Sequence, residues 1–510
     1  MERIDLKKFT DCLKKPWSYE NHQWLQFFAE KMEDFIKLDS VKAEMLKNQL
    51  DNILYTIPMN DFHRIWLLSA MAEIFPDEKY LELLLQQAIF NDKLEIYDRE
   101  HIGHQVECFL FRAPEYISSK IKNLQKILHQ KIRSELRSQV TIHPKIKEER
   151  NEGNIILMTA NFLGERHAPT HSTLERCLMA EKLFGVNVHI ISTTENVIKQ
   201  ILPLFCYRSW RGNIIEDFNG LHWYHYKDRK YLLYQEQEYV SMPEGVQNII
   251  NYVESINPYY ILYLGGESVI ADLLNEFCPV MTISTVFSSI PQGNTAFKMV
   301  GRKVTDEERA TTYGEIIETP FSFELTEKNS RYTRAEIGIP EDRWAMAVIG
   351  NRLDADIKVE FLEAMQQVEN GFLVFIGTFT EYEKKKQEYP WLEQNSISLG
   401  WVKDVIGILE CVDLYVNPRR LGGGFSVIEA FRAGIPAISI EYGDVAVAAG
   451  SAFCVADYEK MLSCIKRYQT DNVFYEQQIL LAKQREKEIT DQETAFKAGI
   501  EKMLSSPNFY

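Results

Sequence analysis

Asn417-Pro-Arg-Arg-Leu-Gly-Gly-Gly-Phe-Ser-Val-Ile-Glu429, continuing as Ala-Phe-Arg-Ala-Gly-Ile-Pro436, is the most informative stretch of the chain. Leu414 to Val416 ahead of it reads as a buried strand. Three glycines follow, and an amphipathic helix opens near Ser426. Glycines allow a backbone to approach a ligand closely. A helix start offers unpaired N–H groups and partial positive charge, so it suits phosphate. Two arginines before the glycines and the position at a strand's carboxyl end favour that reading. A purely structural reading makes Ser426 the N-cap and Glu429 the partner in a capping box.

Upstream, the same strand-and-helix rhythm recurs. Ala345 to Ile349, Gly371 to Ile376 and Ile397 to Leu399 read as strands, with Ala437 to Ile440 as a fifth. Strands alternating with helices predict a parallel α/β sheet. A first α/β unit precedes it, with strands at Ile155 to Met158, Val186 to Ile191, Tyr259 to Leu264 and Val280 to Ser284. Trp223 to Tyr226 and Tyr231 to Tyr234 read as an extra hairpin. Residues 1 to about 140 are poor in Gly and Pro and carry apolar residues at helical spacing, as in Trp24, Leu25, Phe27, Phe28 and Met32. The expected layout is a helical domain over 1–145, Rossmann-like units over 154–330 and 340–485, and a C-terminal helix over 486–510. Ligands of such sheets bind outside the carboxyl ends of the strands, and two facing units would share one cleft.

Composition narrows the function. The 510 residues carry 57 Lys and Arg against 73 Asp and Glu, a net charge of −16. That balance disfavours broad binding of nucleic acid. It leaves room for a local basic pocket. Hydrophobic residues at 45% and charged residues at 25% are ordinary for a globular protein. No signal peptide is read at the N-terminus, and no run approaches the ~18 apolar residues of a membrane span. The eight cysteines form no CxxC pair, so buried thiols in a cytoplasmic protein are expected rather than disulfides or zinc. Lys7, Lys8, Lys14 and Lys15 would support a peripheral membrane contact at most.

The ordered series over about 150 residues resembles the nucleotide-sugar domain of GT-B glycosyltransferases, particularly glycosyltransferase family 4. Gly350-Asn-Arg-Leu353 with Lys358 resembles the family's G-R-L…K loop. Phe372 to Gly377 resembles its next strand, and Leu399-Gly-Trp-Val402 the loop that packs on the base. Asp413 to Pro418 and Glu429-Ala-Phe-Arg-Ala-Gly-Ile-Pro436 complete the series. The resemblance implies that Arg352 and Lys358 neutralise a donor diphosphate, that Glu429 holds the ribose hydroxyls, and that the backbone at Val402 meets the base. It implies a UDP-sugar donor, UDP-glucose or UDP-N-acetylglucosamine, and retention of anomeric configuration. Gly422, Gly423, Gly424, Phe425 and Ser426 would bind sugar and phosphate. The family's first glutamate falls on Leu421, which leaves sugar identity open. Arg419 and Arg420 take no role from the family.

In the first unit, Thr159-Ala-Asn-Phe-Leu-Gly-Glu-Arg-His-Ala-Pro-Thr-His-Ser172 leads from a strand to a helix expected from about Ser172. Gly164 would allow close approach to the diphosphate. His167 and His171 are candidates to bond donor or acceptor and exchange protons. This stretch resembles the paired-histidine loop of cytoplasmic N-glucosyltransferases that modify adhesins, which also place helices ahead of a GT-B core. Solvent-facing histidines beside a capping Ser172 are the structural alternative. Glu267, in Tyr263-Leu-Gly-Gly-Glu-Ser268, is a candidate base or acceptor ligand, or a carboxylate of a first helical turn. Asp354-Ala-Asp356 has the spacing of a metal-binding D-x-D, but beside Arg352 no metal site is expected and no cofactor is required.

The reading is a hexosyltransferase acting on a protein-linked or polysaccharide acceptor, with the N-terminal helices engaging acceptor or protein partner. The alternative is an inactive GT-B-like adaptor or chaperone in an adhesin glycosylation or secretion system. A sugar phosphorylase would need a pyridoxal lysine, and none is identified.

Overall fold

A computed structural model describes residues 5–16, 18–36, 40–165, 167–195, 214–236, 243–286, 289–319 and 330–510. The chain divides into two compact units, one of residues 1–177 with 186–280, the other of 178–185 with 281–510. The expected link around 321–342 falls partly outside the described residues.

The first unit opens with helices: α1 (Leu6–Leu13), α2 (Tyr19–Ile36), α3 (Ser40–Thr56), α4 (Asp61–Ile74), α5 (Glu78–Phe90), α6 (Ile96–Arg112) and α7 (Ser119–Arg137). Local chemistry sets their starts. Asn60, Asp77 and Ser118 each accept a backbone N–H in the first turn of the helix that follows. Trp66 and Tyr80 are fully buried in the helical core. That core runs without interruption into Ile156, Met158, Ile261 and Val280 of the sheet.

Strand β1 (Asn154–Thr159) leads into α8 (Ala168–Phe184) and β2 (Asn187–Ser192). The hairpin is present as β3 (Gly220–Tyr226) and β4 (Arg229–Gln235), paired antiparallel. After α9 (Pro243–Ile256) come β5 (Ile261–Leu264), α10 (Val269–Leu274) and β6 (Val280–Ile283). Their order is β3-β4-β2-β1-β5-β6, with β1 parallel to both β2 and β5. The order reverses beside β1, so the loop after β1 lies at the switch point. Helix α7 is tied to α10 and the turn after it: His129 Nε2 lies 2.7 Å from Asp272, and Arg133 and Arg137 reach Glu276 at 2.8 and 2.6 Å.

In the second unit β6 continues to β7 (Phe297–Val300), followed by α11 (Asp306–Thr311) and β8 (Glu315–Glu318), parallel throughout. Both strands are four residues long, with Lys298 inside β7 and a Glu at each end of β8, and the periodicity of the sequence did not reveal them. The second sheet comprises β9 (Trp344–Ile349), β10 (Gly371–Ile376), β11 (Ser396–Ser398), β12 (Leu414–Asn417), β13 (Ala437–Ile440) and β14 (Cys454–Val455). Its order is β11-β10-β9-β12-β13-β14, and every pair is parallel. Helices α12 (Leu353–Asp356), α13 (Val359–Met365), α14 (Tyr382–Glu388), α15 (Leu392–Asn395), α16 (Val405–Leu409), α17 (Gly424–Arg432), α18 (Gly443–Ala449) and α19 (Tyr458–Thr470) cover it, and α20 (Asn472–Thr490) and α21 (Gln492–Ser505) end the chain. Strand β9 sends Ala345 and Ala347 into one apolar cluster and Met346 and Val348 into the other. Burial on both faces explains its unbroken apolar run.

Candidate active site

The order of the second sheet reverses between β9 and β12, which pair at Met346 and Leu414. The loops leaving these two strands are therefore neighbours at the carboxyl edge. One is Gly350-Asn-Arg352, the other Pro418 to Gly423. This is where a doubly wound sheet binds its ligand.

Arg420 joins the two loops. It is 4% exposed. Its Nε donates to Asn417 Oδ1 at 2.7 Å, Nη2 to the Tyr415 hydroxyl at 3.0 Å, and Nη1 to Asp356 at 3.3 Å. Gly350 makes room for it, since a Cβ there would stand 2.5 Å from Nη1. Gly423 does the same at 2.9 Å from Cζ, and its φ of 99° is one that side chains resist. The arginine without a family role is thus the structural centre of the glycine loop. Arg419 lies over the Tyr442 ring at 4.8 Å from its centroid.

Gly423 is the N-cap of α17, which opens at Gly424 with Phe425 in its first turn. The capping box of the purely structural reading is absent. Ser426 sits inside the helix, where its hydroxyl donates to the Gly423 carbonyl at 2.7 Å and meets the Tyr415 hydroxyl at 2.7 Å. The helix starts two residues earlier than read because Gly423 takes the left-handed turn. Gly422 is buried behind it.

Glu429 is 7% exposed, and its carboxyl forms no hydrogen bond or ion pair with a described residue. Burial pushes its pKa up to about 8. A buried carboxyl without a protein partner is costly unless a ligand uses it. Arg352 is the N-cap residue of α12, and burial lowers its pKa while Asp356 and Asp444 oppose that and Arg420 adds to it. Lys358 begins α13 and is exposed. Val402 is half-buried against the apolar cluster on one face of the sheet, beside the exposed Trp401. The Leu421 carbonyl accepts the Asp444 N–H at 2.7 Å. Asp444 is itself buried, 5% exposed, at the start of α18. It places a carboxylate next to the loop that lacks the family's first glutamate. Sequence reasoning missed Asp444, which stands in no motif, and read Asp356 only as half of the D-x-D spacing.

The D-x-D pair is spoken for within the protein. Asp354 accepts from the Thr380 hydroxyl at 2.6 Å and the Glu381 N–H at 2.7 Å, and Asp356 faces Arg420. Among the described residues no group of three or more His, Cys, Asp and Glu is arranged to hold a metal ion. No helix among them is long and apolar enough to cross a membrane.

In the first unit, Gly164 has a φ of +81° and open space where a Cβ would stand. His167 follows in the same loop, with Nδ1 2.9 Å from Thr170 Oγ1, and burial lowers its pKa. Helix α8 starts at Ala168, not near Ser172. His171 and Ser172 therefore lie inside the helix: Pro169 is tolerated in a first turn, where its missing N–H costs nothing. Ser172 caps nothing and instead bonds Arg176. Glu267 precedes α10, whose N-cap is Ser268. It lines a cavity of about 140 Å³ with His104, His129 and Glu195, at 3.8 Å from His129 Nδ1.

Residues 351–471 match the family model described as Glycosyl transferases group 1. A mutant of the Thermobaculum terrenum O-GlcNAc transferase superposes with a TM-score of 0.54 at 11% identity, over 87% of this chain and 87% of that one. The fold is that of the GT-B glycosyltransferases. Anabaena HepE in complex with UDP gives a TM-score of 0.48 at 11% identity, over 69% of this chain and 99% of that one. No curated protein matches significantly in sequence. Residues 351–471 thus form a glycosyltransferase domain, and the chain is an enzyme of the glycosyltransferase class.

Proposed function

We propose that this enzyme moves a hexose, glucose or N-acetylglucosamine, from a UDP-sugar to a protein-linked or polysaccharide acceptor, with retention. The observation that carries the donor assignment is Glu429, a buried carboxyl without a protein partner on the helix that Gly423 opens. Ribose hydroxyls would supply that partner. Arg352 and Lys358 would hold the diphosphate, and the first turn of α17 would add its N–H groups. Charge grows on the leaving diphosphate as the glycosidic bond breaks, and fixed cations placed there lower the barrier. The backbone at Val402 would meet the base. His167, His171 and Glu267 are proposed to face donor and acceptor hydroxyls, and the N-terminal helices a macromolecular acceptor or partner.

Thermal unfolding against a panel of nucleotides and nucleotide sugars tests this. Ligand at ~100 times its Kd stabilises the native state by roughly 2.7 kcal/mol. The expected result is a shift with UDP and a larger one with a single UDP-sugar. No shift with any uridine nucleotide overturns the donor assignment.

A further inference from the structure

The cavity of about 140 Å³ beside Glu267 is walled by two kinds of structure. Helices α6 and α7 supply one wall, and the segments that follow β2 and β5 supply the other, through Glu195 and through Glu267 to Val269. Those strands flank β1. The cavity therefore lies at the carboxyl edge, where sheets of this kind hold their ligands.

The protein already compensates the most deeply placed carboxylates. Asp272, 1% exposed, meets His129 Nε2 at 2.7 Å. Glu195 accepts the Ser268 hydroxyl at 2.7 Å, the Thr193 hydroxyl at 3.0 Å and the Ile270 N–H at 3.2 Å. What the cavity offers a ligand is consequently mixed rather than uniformly negative.

His129 is fixed by Asp272 behind it, and its other nitrogen is on the side of Glu267. Nδ1 hydrogen-bonds no described residue; the Glu267 carboxylate stands 3.8 Å away, beyond hydrogen-bond reach. Burial disfavours charge on this ring, but the carboxylates of Asp272, Glu267 and Glu195 prevail, which favours a proton on Nδ1. One turn earlier on α7, Gln125 also lines the cavity, and its amide bonds no described residue. Leu128, Ile132 and Val269 add an apolar lining.

An oxygen about 2.8 Å from both Nδ1 and Glu267 spans the gap between them. A hydroxyl placed there accepts from the ring and donates to the carboxylate, which has acceptor sites beyond those its protein contacts use. An ammonium would confront the ring N–H with a second donor, and a phosphate would confront Glu267 with a second anion. Gln125 can donate to, or accept from, a further hydroxyl. Neighbouring hydroxyls beside an apolar C–H face are the chemistry of a sugar ring. We infer that this cavity is an acceptor subsite that holds a sugar residue, its hydroxyls bonded by His129 Nδ1, Glu267 and Gln125, with Asp272 as the positioning residue behind the imidazole. The helical domain thereby supplies two of the three polar contacts. That the sugar is the acceptor rests on the glycosyl-transfer reading; that the cavity binds a sugar does not.

Saturation-transfer NMR with the methyl glycosides of glucose, N-acetylglucosamine, galactose and mannose tests this on the full chain, with no nucleotide present. At least one glycoside should bind the wild type. Gln125→Ala and Glu267→Gln should each weaken it about tenfold, the scale of one hydrogen bond. No binding of any glycoside overturns the inference. Unchanged affinity in Gln125→Ala, which alters a half-buried side chain on the helix surface, places the sugar elsewhere and overturns it as well, whether or not Glu267→Gln folds. N-acetylserine amide stands in for a protein hydroxyl, and binding of that compound without any glycoside overturns the sugar class. If a glycoside binds as expected but uridine nucleotides do not, the donor assignment falls and the cavity assignment stands.

Discussion

Arg420 Nη1 donates to Asp356 at 3.3 Å, and so fastens the loop after β12 to the short helix after β9. With side-chain exposures of 3% and 12%, the pair is largely withdrawn from water. Removing one member of such a pair leaves the other charge uncompensated, at roughly 3–5 kcal/mol. Arg420→Met should therefore lower stability by about 3 kcal/mol in denaturant titrations. Arg420→Met with Asp356→Leu should recover part of the loss. No recovery would mean that the bonds to Asn417 and Tyr415 carry the loop.

The glycines around this arginine make a second test. A Cβ on Gly377 would stand 2.1 Å from the Gly350 carbonyl, with φ at +113°. Gly377→Ala should be severely destabilising, because the two nearest atoms are backbone. Gly423→Ala meets only the Arg420 side chain, and should cost about 1–3 kcal/mol. Melting temperatures in that order are expected; the reverse order would contradict the packing described.

Arg352→Ala should weaken UDP binding roughly ten- to hundredfold, the range of a hydrogen bond to a charged group. The folded state should survive, since Arg352 makes no side-chain cap to its own helix. Lys358→Ala should act the same way and more weakly, from its exposed position. Calorimetric titration with UDP reads both. Unchanged affinity in both variants would remove them from the diphosphate site.

Glu429 provides a pH signature. Its pKa, pushed to about 8 by burial, lies above the ordinary 4.5. Between those values the native state holds a proton that the unfolded chain releases. Stability therefore falls as pH rises through that window. Glu429→Gln abolishes this slope, so the variant should be the more stable protein near pH 8 and equal to the wild type near pH 4.5. It should also bind UDP more weakly. Parallel melting curves at all pH values would refute the buried carboxyl.

His129 gives a pH slope of the same sign from a different cause. Burial works against its charge, but the Asp272 hydrogen bond and the carboxylates of Asp272, Glu267 and Glu195 prevail, and its pKa is raised. Its stabilising contribution is complete below the ordinary value of 6.5 and lost as pH rises through the raised one. His129→Gln should flatten that alkaline decline in urea titrations. A decline of the same size in the variant would place its origin elsewhere.

Much of this protein was written in its local pattern. Strands β9 and β10 are almost wholly apolar, and β12 and β13 each carry one strongly polar residue, Asn417 and Ser439, so their burial on both faces was legible from composition. The hairpin of β3 and β4 and the helices before residue 140 followed from periodicity in the same way. The glycine loop was read as a ligand site from three glycines between a strand and a helix, and in the structure Gly423 takes the left-handed turn that opens α17 beside Arg420. Strands β7 and β8 were missed because they are short and mixed in polarity. The helix starts were misplaced because the left-handed turn of Gly423 and the Pro169 first turn depend on backbone geometry, which side-chain pattern does not carry. What only the tertiary structure decided are the pairings across the chain: Arg420 with Asp356, Asp444 with the Leu421 backbone, Tyr226 with Glu175 and His171. Each joins residues with no fixed spacing in sequence, and their chemistry follows from burial and neighbours that the fold alone supplies.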